Sequence, residues 1–150
     1  MAANTAPIYS IGPDIQSSVM MLAVNASLYD IAGTIGTDIY LIYTAPTEGG
    51  FVQRIRFKYA GNSTTTSVAC IAKVWLTSVN TGTPTIGTQA WFLDEIALPA
   101  TGALSVTVPA PTYDMPLNFA IPSGKYLCIK LTAAQPASFG WMAMVIGGKY

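Results

Sequence analysis

The chain has 150 residues, about one domain's worth, with 51% hydrophobic and 9% charged residues, seven basic groups, seven acidic groups and no histidine. Typical globular domains carry about 25% charge, so at a mean hydropathy of +0.44 the surface is paved with uncharged polar residues or covered by neighbouring subunits. The missing histidine excludes Ser-His-Asp and Cys-His nucleophile pairs and His-based metal sites, and seven cations at zero net charge argue against nucleic acid as a partner.

Taken in order, the chain shows period-2 alternation, β-branched residues and Gly/Pro punctuation rather than helical periodicity. Residues 1–13 read as an extended N-terminal arm, since Pro7 and Pro13 exclude a helix through it. Within it Ile8, Tyr9 and Ile11 make an apolar strip that caps its own domain or reaches another subunit as an added strand. Strands are predicted over 19–24 and 38–44, the latter with Ile39, Leu41 and Tyr43 on one face. Residues 46–50 read as a hairpin turn leading into a strand at 51–59. There Phe51, Ile55, Phe57 and Tyr59 point one way and Arg54, Arg56 and Lys58 the other.

Further strands are predicted at 66–79, 89–98, 104–108, 117–121, 125–131 and 140–146, about nine in all. The pattern predicts one all-β domain over residues 1–150: a single antiparallel β-sandwich, with jelly-roll connectivity as one candidate wiring. Two long uncharged runs, 96–113 and 131–148, are interrupted by proline or glycine, so no membrane helix is expected. Residues 1–7 lack the basic start and apolar run of a secretion signal. Cys70 and Cys128 both fall in apolar strand-like runs. They read as buried free thiols, with a disulfide between neighbouring strands as the alternative.

Catalytic chemistry is hard to assemble from what remains. Asp94 and Glu95 are adjacent in a predicted strand, so their side chains point to opposite faces and cannot form a facing carboxylate pair. No phosphate-binding or nucleophile-elbow motif is present. No enzyme activity, metal or cofactor is expected. The candidate site residues are instead those of a protein interface: Ile8, Tyr9 and Ile11 in the arm, and the basic stripe Arg54, Arg56 and Lys58. The stripe is either a solvated face that blunts a strand or a contact with an acidic neighbouring subunit. Trp75, Trp91 and Trp141 read as core before they read as a sugar platform.

Several blocks, in order along the chain, carry a resemblance. They are the opening Met-Ala-Ala-Asn-Thr-Ala-Pro-Ile, then Thr44-Ala45-Pro46 followed by Gly49-Gly50, then Val52-x-Arg54-Ile55. The series continues with Leu93-Asp94-Glu95-Ile96-Ala97-Leu98-Pro99-Ala100 and with Leu117-x-Phe119-x-Ile121-Pro122-x-Gly124-x-x-Leu127. Together they resemble small β-rich virion proteins of tailed bacteriophages, of the head cement or decoration kind. The resemblance implies a virion location and the major capsid protein or other virion subunits as partners. It further implies a homo-oligomer, and a role in tying capsomers together. A tail or fibre component that binds a host surface glycan or protein is the alternative. The segment 79–88 is longer than the family's loop, which puts loop contacts in question.

Overall fold

The computed structural model describes residues 11–17, 21, 31–136 and 139–150. Among these are eight strands and no helix: β1 (Gly12–Ser17), β2 (Tyr40–Thr44), β3 (Gly50–Ala60), β4 (Cys70–Thr77), β5 (Ala90–Leu98), β6 (Thr112–Ile121), β7 (Tyr126–Leu131) and β8 (Gly140–Lys149). No helix among the described residues is long and apolar enough to cross a membrane.

Every ladder is antiparallel, and β1 pairs with β8, β2 with β7, β3 with β6 and β4 with β5. The chain is thus one long hairpin folded over on itself. Cross-pairing of β8 with β3 and of β7 with β4 then yields two four-stranded sheets, ordered β1-β8-β3-β6 and β2-β7-β4-β5. That winding is the eight-stranded jelly roll, and the all-β sandwich read from the sequence is the observed fold. One consequence corrects the reading of 46–50 as a hairpin turn. Gly49 does turn the chain, with φ 85° and its N–H donating to the Pro46 carbonyl. Yet β2 and β3 lie in different sheets, so the turn is an arch between layers.

The core lies between the sheets. Val52, Ile55, Phe57 and Tyr59 of β3 and Trp141, Ala143 and Val145 of β8 face Ala72 and Val74 of β4 and Leu127, Ile129 and Leu131 of β7. Trp141 is fully buried, with the Tyr59 and Tyr113 rings each 5.6 Å away. A second cluster forms on the outer face of the β2-β7-β4-β5 sheet. There Ile31, Ile35 and Ile39 pack on Trp75, Ala90 and Cys128. Lys130 is also fully buried on this face, its Nζ donating to the Ala32 carbonyl at 2.7 Å.

β-Bulges move two side chains away from their predicted faces. The register of β3 shifts between Val52 and Arg54, so Val52 takes the core position and Phe51 leaves it. The β2 register shifts between Leu41 and Tyr43. Leu41 joins Ile39 in the outer cluster while Tyr43 packs into the main core. Strand boundaries also differ from expectation. β4 begins only at Cys70, because the backbone before it bonds elsewhere: Ser67 N–H donates to the Thr101 carbonyl and Val68 N–H to Gln135 Oε1. β6 runs back to Thr112 through Pro116, which an edge strand tolerates. Residues 104–108 form no strand: Leu104 N–H donates to the Asn62 carbonyl and Thr107 N–H to Ser105 Oγ, and no ladder pairs the segment. The predicted strand at 19–24 lies outside the described residues except for Met21, which bridges to Trp141.

Gly147 explains how closely the strands approach. A Cβ built there would overlap the Phe51 carbonyl oxygen, so this place in β8 takes only glycine beside the β3 bulge.

Candidate subunit interface

The basic stripe occupies the middle of a sheet, because β3 lies between β8 and β6. Strand alternation sets Arg54, Arg56 and Lys58 on the outer face, and the register gives each a neighbour on both sides. Arg54 stands between Ile146 and Pro116, Arg56 between Met144 and Asp114, and Lys58 between Met142 and Thr112.

Asp114 reorganises the stripe. Arg56 Nε and Nη2 donate to its Oδ1 and Oδ2, both at 2.8 Å, in a bidentate pair. Arg54 Nε lies 4.0 Å from Oδ2, near enough for attraction but too far for a hydrogen bond. The hydrogen bonds from Arg56, followed by the Arg56 and Arg54 charges, hold the Asp114 carboxyl below its ordinary range. The same pairing raises Arg56 above its usual value. Three cations therefore face one carboxylate, and Lys58 projects to solvent.

Methionines line the other side. Met142 and Met144 are each 42% exposed. With Ser17, Ala143 and the stems of Arg56 and Lys58 they enclose a groove of about 170 Å³. Its walls are apolar and its rim is cationic, since long basic side chains lay their methylenes down and lift their charge. Methionine is the side chain that adapts best to an irregular partner surface. Ile15, 60% exposed, extends the apolar row, since it pairs with Ile146 across the β1–β8 ladder.

The arm divides. Ile8 and Tyr9 lie outside the described residues. Ile11 is exposed and its N–H donates to the Lys149 carbonyl at 2.8 Å. Gly12 and Pro13, read from the sequence as the arm's end, are the first residues of β1. The sequence reading missed Ile15, Met142, Met144 and Asp114. The first three follow period-2 alternation, Ile15 in step with Ile11 and Pro13, and Met142 with Met144. Asp114 carried no local signal, being 58 positions from its partner.

The thiols are not a pair. Cys70 faces the main core and Cys128 the outer cluster. Cys128 stands opposite Trp75, five positions along β4 from Cys70. Burial pushes both thiols up to about 11, with the Thr77 hydroxyl 3.6 Å from Cys128 Sγ partly opposing it. Of the tryptophans, Trp75 and Trp141 are core, but Trp91 is 37% exposed beside Phe92, with Lys125 Nζ 4.6 Å from its ring centroid.

No protein-family model matches the chain. No curated protein matches it. Among solved structures it is similar to a chain in the structure of infectious bursal disease virus Gx strain, at 14% identity and a TM-score of 0.27. The match covers 99% of this chain and 34% of that one, so the chain spans about a third of the other's length; a superposition this loose carries no argument about fold or role.

Proposed function

We propose that the chain is a virion structural protein, a capsid cement or decoration subunit that binds the head of a tailed bacteriophage and stabilises contacts between capsomers. The observation that supports this reading is the outer face of the β1-β8-β3-β6 sheet. A central groove with methionine walls and a cationic rim, mounted on a paired sheet, is a preformed surface for an acidic, partly apolar neighbour. The low charge content fits wide contacts with companion subunits. Repetition of a modest contact over many copies stabilises a shell by avidity.

Changing Lys58→Glu together with Met144→Glu reverses the rim charge and places a carboxylate in the groove. The variant is expected to fold as the parent does and to stay in the supernatant when heads are sedimented. Undiminished co-sedimentation with heads would overturn the assignment of this face.

A second reading has one observation of its own. The partly exposed Trp91 on edge strand β5 is the kind of side chain a tail or fibre protein would use against a host glycan. Binding of a host polysaccharide that is lost in Trp91→Ala, with no retention on heads, would favour it.

A further inference from the structure

The three cations on the outer face of β3 are unequal. Arg56 commits its fork to both Asp114 oxygens. Arg54 has only the 4.0 Å approach of its Nε to Asp114 Oδ2. That Nε is shut off from solvent and has no hydrogen-bond acceptor, while the side chain as a whole is 35% exposed. No described residue accepts from Lys58 Nζ, which projects outward. On β1, Asp14 accepts from Gln16, whose amide reaches away from this face to Thr44. Asp114 is thus the one carboxylate of the face among the described residues. Two positive charges stay uncommitted, one on each side of the Arg56–Asp114 pair.

Their spacing is fixed by the sheet. The register between β3 and β8 runs without a bulge from Arg54–Ile146 to Lys58–Met142. At about 3.3 Å per residue the two cations therefore leave the strand about 13 Å apart. On the β8 side of that interval lies the methionine groove of about 170 Å³. A cavity of about 150 Å³ takes one benzene ring, so the groove has room for one large apolar side chain. Beside Arg54 the apolar row continues with Ile146 and Ile15. β3 and β8 are both inner strands of their sheet, so the surface is held rigid from beneath.

We propose that this face receives an extended acidic segment of a partner protein, with a carboxylate two residues before and another two residues after one large apolar side chain. The carboxylates take Arg54 and Lys58, and the apolar side chain enters the methionine groove. In an extended chain, side chains two residues apart share a face. Positions i, i+2 and i+4 therefore repeat the interval from Arg54 to Lys58. A partner with charge alone would leave the groove unfilled, and one with apolar side chains alone would strip water from two cations with no return. A central apolar anchor ringed by charge pairs is where binding energy concentrates. The inference rests on the reading of this face as the docking surface, and adds what the partner presents to it.

Fluorescence anisotropy with two labelled heptapeptides of one composition tests it. Ser-Glu-Thr-Leu-Thr-Glu-Ser carries the spaced pattern, and Ser-Thr-Thr-Leu-Glu-Glu-Ser sets both carboxylates on one side. The spaced peptide is expected to bind the parent chain about fivefold more tightly than its isomer. Arg54→Gln is expected to weaken the spaced peptide about tenfold, to flatten its salt dependence and to erase the preference between the two. Lys58→Gln, at an exposed position, carries the same expectation should Arg54→Gln fold poorly. No binding of the spaced peptide, equal binding of the isomer, or parent-like binding by both variants would each overturn the proposal. So would an oligonucleotide that displaces the spaced peptide as well as unlabelled peptide does. Head sedimentation separates the two readings. A preference for the spaced peptide in a chain that ignores heads keeps the pattern and removes the head as its bearer. Release from heads by Lys58→Glu with Met144→Glu, without that preference, removes the pattern alone.

Discussion

Gln16 and Thr44 join the two sheets: the Gln16 side-chain amide accepts from Thr44 N–H and donates to the Thr44 carbonyl, both at 2.9 Å. One side chain of β1 thus behaves as a short strand against the edge of β2. It meets the open backbone groups that an edge would otherwise offer to another chain. Gln16→Ala is expected to cost about 1–2 kcal/mol, two hydrogen bonds at partly exposed sites. The Thr44 amide should exchange faster with solvent. Equal stability in urea and equal exchange would mean that the clasp contributes nothing.

The Arg56–Asp114 pair makes a pH-dependent contribution. Because the folded Asp114 carboxyl titrates below its unfolded value, the pair stabilises the fold above the unfolded pKa and loses that effect as pH falls through the folded one. Asp114→Asn is expected to lower the melting temperature slightly at neutral pH, less so in high salt, and to match the parent once the carboxyl is protonated. A difference that survives in strong acid would point to packing rather than charge.

Gly147→Ala is expected to cost about 3 kcal/mol or more, because the methyl group meets the Phe51 backbone and not a movable side chain. Urea unfolding measures this. A shift below 1 kcal/mol would show that the β3 bulge relaxes around the methyl group.

Alternation in β3 was enough to set the direction of Arg54, Arg56 and Lys58 and of Ile55, Phe57 and Tyr59, because a central strand with one buried face tolerates no register slip. The bulges at Gln53 and Ile42 left no mark, since one extra residue costs the pattern nothing until a partner strand counts it. β1 was hidden by Gly12 and Pro13, which punctuate a loop as readily as they open an edge strand. Residues 104–108 carry strand composition, and only the structure reveals that Leu104 and Thr107 bond to the Asn62 carbonyl and to Ser105 Oγ rather than to a strand. The groove spans β1, β3 and β8, so its membership depended on pairings that sequence separation concealed.

Both cysteines should be inert in the native state. With each thiol buried and pushed up to about 11, an aromatic disulfide reagent at pH 8 is expected to label neither until the chain unfolds, whereupon both react. Prompt labelling of one thiol in the folded protein would show that its part of the β2-β7-β4-β5 sheet opens locally.

The most direct measurement of the proposed role is the number of copies of the chain on purified, salt-washed phage particles, by quantitative mass spectrometry against the major capsid protein. A cement or decoration subunit is expected in a fixed ratio to capsomers, copies by the hundred, retained through washing. A handful per particle, or none, would contradict that role.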